Sequence, residues 1–139
     1  MFSAGCGESA SKESHTDSEE HGHDHDHGHD HGPATLKEGI AKLTTLRNTM
    51  RDAFGKNDPD AAHGPLHEVG HVLEAIPDLA KKENLSAGSQ AAVETAVNTL
   101  MDAFGAVDKT MHGQEGSTYS EESAKIDAAM ESLVAATES

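Results

Sequence analysis

Apolar residues fall at Leu36, Ile40, Leu43, Leu46, Met50 and Phe54, mostly in steps of three and four. That spacing lays them along one face of an amphipathic helix. Thr35-Leu36-Lys37-Glu38 sets a Thr at the cap and a Glu three residues on, a capping box that starts this helix. Gly55 and the turn Lys56-Asn57-Asp58-Pro59 stop it. A second apolar set follows at Leu66, Val69, Val72, Leu73, Ile76 and Leu79. Asp58 offers a cap and Pro59 a first turn, but Gly64-Pro65 interrupts, which moves the regular part of the helix to Pro65 onward. Pro77 removes a helical donor, so a kink or an early end is expected there.

Leu85-Ser86 opens the third helix, whose stripe is Val93, Val97, Leu100, Phe104, Val107 and Met111, with Gly113 just past it. A polar loop, Gln114-Glu115-Gly116-Ser117, leads to Thr118 or Ser120 as the next cap. The last helix carries Ile126, Met130, Leu133 and Val134. Asn48-Thr49-Met50-Arg51-Asp52-Ala53-Phe54-Gly55 matches Asn98-Thr99-Leu100-Met101-Asp102-Ala103-Phe104-Gly105 at six of eight positions. His63-Gly64 and His112-Gly113 follow at nearly the same distance. The expected fold is all-α: an up-down four-helix bundle over residues 35–139, made of two repeated hairpins at about 35–83 and 86–138. Residues 1–34 read as a disordered tether of Ser, Glu, Asp, Gly and His.

Composition narrows this further. No Trp is present, and the core must be aliphatic and small, which suits a bundle better than a sandwich. A formal net charge of −15 argues against nucleic acid, whose phosphates would be repelled, and favours cations. With one cysteine, Cys6, neither an internal disulfide nor a Cys-type zinc site can form.

The densest chemistry lies in the tether. His21, His23, His25, His27, His29 and His31 alternate with Gly22, Asp24, Asp26, Gly28 and Asp30. Such a run is too polar to pack, but imidazole is a good ligand for zinc, copper, nickel and cobalt. Any three or four members can converge on one ion, and Asp24, Asp26 and Asp30 can ligate or orient the rings. The His-Asp-His and His-Gly-His pattern resembles the histidine-rich segments of bacterial metal transporters, periplasmic binding proteins and metallochaperones. The resemblance implies metal handling without naming the metal.

A second candidate sits on the second helix. His63, His67 and His71 stand at i, i+4 and i+8, a stripe about 80° wide and roughly 160° from the apolar set. They should therefore face solvent or a partner. The break expected at Gly64-Pro65 makes His67 and His71 the safer pair. His112 aligns with His63 in the repeat and is placed to close a site from the neighbouring hairpin. Met111 beside it is either a soft copper ligand or the last core position of its stripe.

His67-Glu68-Val69-Gly70-His71 contains the HE-x-x-H string of zinc metalloproteases, where two His ligate and the Glu acts as base. A third ligand at the spacing those enzymes use is missing after His71, so the string reads as a chance match and the protein as non-catalytic. The expected function is binding or buffering of a divalent transition metal through the tether, with a possible second site on the second helix. The alternatives are a bundle holding haem or another cofactor through His63, His67, His71 or His112, and a protein-interaction module on a flexible tether.

Ser3-Ala4-Gly5-Cys6 looks like the end of a bacterial lipoprotein signal, with small residues before a Cys that becomes lipidated. That resemblance implies an anchor at Cys6 and a place in the cell envelope, facing the periplasm. A cytoplasmic protein is the alternative.

Overall fold

A computed structural model describes residues 32–138, which form four helices and no strand: α1 (Leu36–Gly55), α2 (Pro59–Lys82), α3 (Ala87–Met111) and α4 (Tyr119–Glu138). The fold is an up-down four-helix bundle. Cys6 and the His21–His31 run, with Asp24, Asp26 and Asp30, lie outside the described residues. Among the described residues no helix is long and apolar enough to cross a membrane.

Local chemistry sets most of the helix ends. Thr35 Oγ1 accepts from the Glu38 amide while Glu38 reaches back to the Thr35 amide, the reciprocal pair expected at the start of α1. Asp58 caps α2 through the Ala61 amide, and Ser86 caps α3 through the Ser89 amide. Of the two candidates for the start of α4, Thr118 is the cap. Its hydroxyl accepts from the Glu121 amide, and the Glu121 carboxylate accepts from the Thr118 amide at 2.8 Å. Asn57 takes a left-handed φ of 55° in the first turn, and Gly113 one of 69° beyond the end of α3.

Two expectations about α2 are overturned. The helix neither begins at Pro65 nor stops at Pro77; it runs unbroken from Pro59 to Lys82 through both prolines. Each proline forfeits one backbone hydrogen bond. The buried stripe is continuous across both points, however: Ala62, Leu66, Val69, Val72, Leu73, Ile76, Leu79 and Ala80. Tertiary packing of that stripe outweighs two local costs of about 3 kcal/mol each.

The repeat is likewise less exact in space than in sequence. Gly55 is the last residue of α1, whereas Gly105 lies inside α3, which continues for six residues to Met111. After Gly55 comes the polar turn with Asn57. After Gly105 come Ala106 and Val107, and Val107 is buried, so the helix has a reason to go on.

The core is aliphatic, centred on Leu43, Met50, Leu73, Ile76, Leu100, Ile126 and Leu133. Val134, counted with the last apolar stripe, is instead 36% exposed. Adjacent helices in sequence pack extensively, while α1 and α4 meet along a sparse seam. Arg47 of α1 hydrogen-bonds Asp127 of α4 across that seam. Glu122 on α4 is buried and paired with Lys125 at 2.7 Å, which holds its carboxyl below the usual range. At one end of the bundle Leu36 N donates to Glu83 Oε2 at 2.9 Å, tying the start of α1 to the end of α2.

Candidate metal centre

His63 and His67 lie one turn apart near the start of α2, and His112 is the C-cap of the antiparallel α3. The unbroken helix through Gly64-Pro65 is what keeps His63 in register with His67. The rings of His63 and His67 meet edge to face with centroids 4.6 Å apart, and His112 approaches His63 the same way at 5.6 Å. One ring nitrogen from each of the three lies within 4.8 Å of the others, and all three side chains are exposed.

The spacing suits a shared cation. Imidazole nitrogens bound to zinc at about 2.0–2.1 Å in tetrahedral geometry stand about 3.3 Å from one another. His63 Nε2 and His67 Nε2 are 3.2 Å apart. Without a metal, one of these nitrogens donates to the other. With one, both lone pairs turn to the ion, and the third ring has at most about 1.5 Å to close, within reach of an exposed side chain's rotation.

Asp108, one turn before His112 on α3, places a carboxylate oxygen 3.4 Å from His112 Nε2. A carboxylate there can orient the imidazole and raise its basicity. The Asp108-Lys109-Thr110-Met111-His112 spacing was the available sequence signal for this contact. Met111 packs against the core, so it completes its stripe and does not join the cluster.

The helix break that made His67 and His71 the safer pair is absent, and it is His63 that the structure brings against His67. His71 stands outside the cluster, its side chain 84% exposed and its Nδ1 3.9 Å from Glu74 Oε2. It lies about 12 Å along the axis from His63. Glu68, the other half of the HE-x-x-H string, is turned toward α1, where Lys42 Nζ holds it at 2.7 Å. All four described histidines are exposed, on the surface of a bundle whose interior is packed mainly with aliphatic side chains.

Family models, curated proteins and solved structures give no significant match to the chain. The chemistry must be read from its own residues.

Beside the triad a groove of about 220 Å³ runs along the α2–α3 seam, from Leu73 and Met101 past Gly70 and Gly105 to His67 and Asp108. A side chain added at Gly70 or Gly105 would meet nothing within 4 Å, so the two glycines leave this floor open. Met101, 37% exposed, forms part of its wall. Of these groove residues the sequence marked only His67 as part of a site.

Proposed function

We propose that this protein binds divalent transition metal without catalysing a reaction, at two kinds of site. The convergence of His63, His67 and His112 from two helices is the observation that carries the reading. Three imidazoles suit zinc, copper, nickel or cobalt and discriminate poorly among them. The His21–His31 run supplies a second, multivalent locus with far more nitrogen than one ion needs. A net charge of −15 draws cations to both. A lipid anchor at Cys6 would hold the protein at the cell envelope, where such capture would act on incoming ions.

Calorimetric titration with zinc, copper and nickel tests this, comparing the full chain with a form lacking residues 15–32 and with His63→Ala/His67→Ala/His112→Ala. The expected result is high stoichiometry in the full chain, about one site in the deletion form, and loss of that site when the triad is removed as well. Unchanged stoichiometry in the deletion form would contradict the role of the run. Binding by the deletion form that survives loss of the triad would contradict the bundle site.

A further inference from the structure

Taking the triad as a metal site, as proposed above, we infer that Asp108 is its fourth ligand, so that three imidazoles and one carboxylate hold the ion and no position stays open. Three imidazoles leave a zinc-class ion one ligand short of the four it takes in a closed site. Asp108 is the carboxylate that approaches a member of the triad, with an oxygen 3.4 Å from His112 Nε2. Two other acids close in sequence to the α2 histidines are engaged elsewhere. Asp58 caps α2 through the Ala61 amide, and Glu68 is held by Lys42.

The backbone builds the pairing. His112 ends α3 at φ −90° and ψ 13°, and its amide donates to the Asp108 carbonyl at 3.1 Å. That closes an α-helical turn, which sets the side chains at i and i+4 on one face. His63 and His67 stand in the same relation on α2. The site is thus two i, i+4 pairs on antiparallel neighbours, His-x-x-x-His beside Asp-x-x-x-His. His67 and Asp108 line one groove across the seam between them.

Distances favour shared coordination over a hydrogen bond. A charge-assisted N–H···O bond closes to about 2.7–2.9 Å, and 3.4 Å is too long for one. It matches instead the edge of about 3.3 Å between neighbouring ligands of a tetrahedral zinc ion. His63 and His67 already show that edge at 3.2 Å. Two opposite edges of the tetrahedron are therefore laid out in the metal-free chain, and binding draws them together across the α2–α3 seam. The carboxylate offsets one of the ion's two positive charges. It also adds a hard oxygen to the donor set, which suits zinc or cobalt better than copper(I). With every position taken by the chain, no water is held for hydrolysis.

Visible absorption with one equivalent of cobalt(II) tests this, with sodium azide as the probe of an open position. The background is the full chain carrying His21→Ala, His23→Ala, His25→Ala, His27→Ala, His29→Ala and His31→Ala, which removes the competing run. The expected result is the intense bands of four-coordinate cobalt, unmoved by azide. Asp108→Asn keeps the shape of the side chain and can still orient His112, but it is a poor ligand, so its bands should shift on adding azide. Asp60→Asn, one turn before His63, should behave like the background. An azide shift already in the background would put water in the fourth position, and bands equally indifferent to azide in Asp108→Asn would reduce Asp108 to a positioning residue. An azide shift created by Asp60→Asn would move the fourth ligand to α2. Each of these overturns the inference and leaves the metal reading standing. Absence of the bands from the background, or their survival in His63→Ala/His67→Ala/His112→Ala, would instead sink the bundle site itself.

Discussion

His63 Nε2 and His67 Nε2 face each other at 3.2 Å on successive turns of α2, while His71, one turn further on, faces solvent. Substitution should separate these residues cleanly. In a chain lacking residues 15–32, His67→Ala should weaken zinc binding at least tenfold, since it removes one of three imidazoles. His71→Ala should leave affinity within about twofold. Equal losses from the two, measured by competition with a chromophoric chelator, would mean that the stripe and not the triad holds the ion.

His112 joins the last turn of α3 to the first turns of α2, so an ion held there is a clasp between the two hairpins. Zinc at a hundredfold excess over its dissociation constant should stabilise the bundle by about 2.7 kcal/mol. For a domain of this size that is a rise in Tm on the order of 10 °C. His112→Ala should abolish most of the rise without lowering the metal-free Tm much, because the side chain is exposed. A zinc-induced rise that survives the substitution, read by circular dichroism, would refute the clasp.

Gly116 lies in the loop that follows His112, and its backbone has almost no clearance. A Cβ there would stand 2.2 Å from the Ala106 carbonyl oxygen and 2.8 Å from Thr110 Oγ1. The same carbonyl accepts from the Ser117 amide at 3.1 Å, which seats the loop against α3. Gly116→Ala should cost about 1–3 kcal/mol. Gly64→Ala is the control: its Cβ meets nothing within 4 Å, and within α2 it should stabilise by up to about 1 kcal/mol. Urea melts of the two variants should therefore move in opposite directions.

Tyr119 stacks on Phe54 with centroids 5.2 Å apart at 15°, closing the same end of the bundle. Burial raises its phenol above the ordinary value of 10.0, with the Asp127 carboxylate adding to the effect. A group whose folded pKa is raised contributes stability that is fully present below the unfolded value and is lost as pH rises through the folded one. The urea midpoint should therefore fall above pH 10 more steeply in the natural chain than in Tyr119→Phe. Parallel curves would show that the phenol titrates alike in both states.

How far the sequence could be read depended on whether the deciding contacts were local. The Thr35–Glu38 box, the Asp58 and Ser86 caps and the apolar stripes are short-range signals, and α1 and α3 follow them. Pro65 and Pro77 are local signals as well, but they were outvoted by packing partners on other helices. The triad was half legible. The spacing of His63 and His67 shows that they share a face, but His112 joins them because α3 runs six residues beyond Gly105 before ending at their level. That length is set by Val107 packing inside the bundle, a tertiary fact. Gly70 and Gly105 matter as a pair across a seam, and nothing in either segment alone marks them.

The sparse contact between α1 and α4 has a kinetic meaning. Each of these outer helices leans chiefly on one neighbour, α2 or α3, and those two also hold each other. Opening of the molecule should begin like a book along the edge bridged by Arg47 and Asp127, so amide exchange should be fastest in the two covers and slowest in the spine. His63, His67 and His112 are all mounted on that spine. The ligand geometry would thus persist through fluctuations that already expose the far edge of the bundle to solvent.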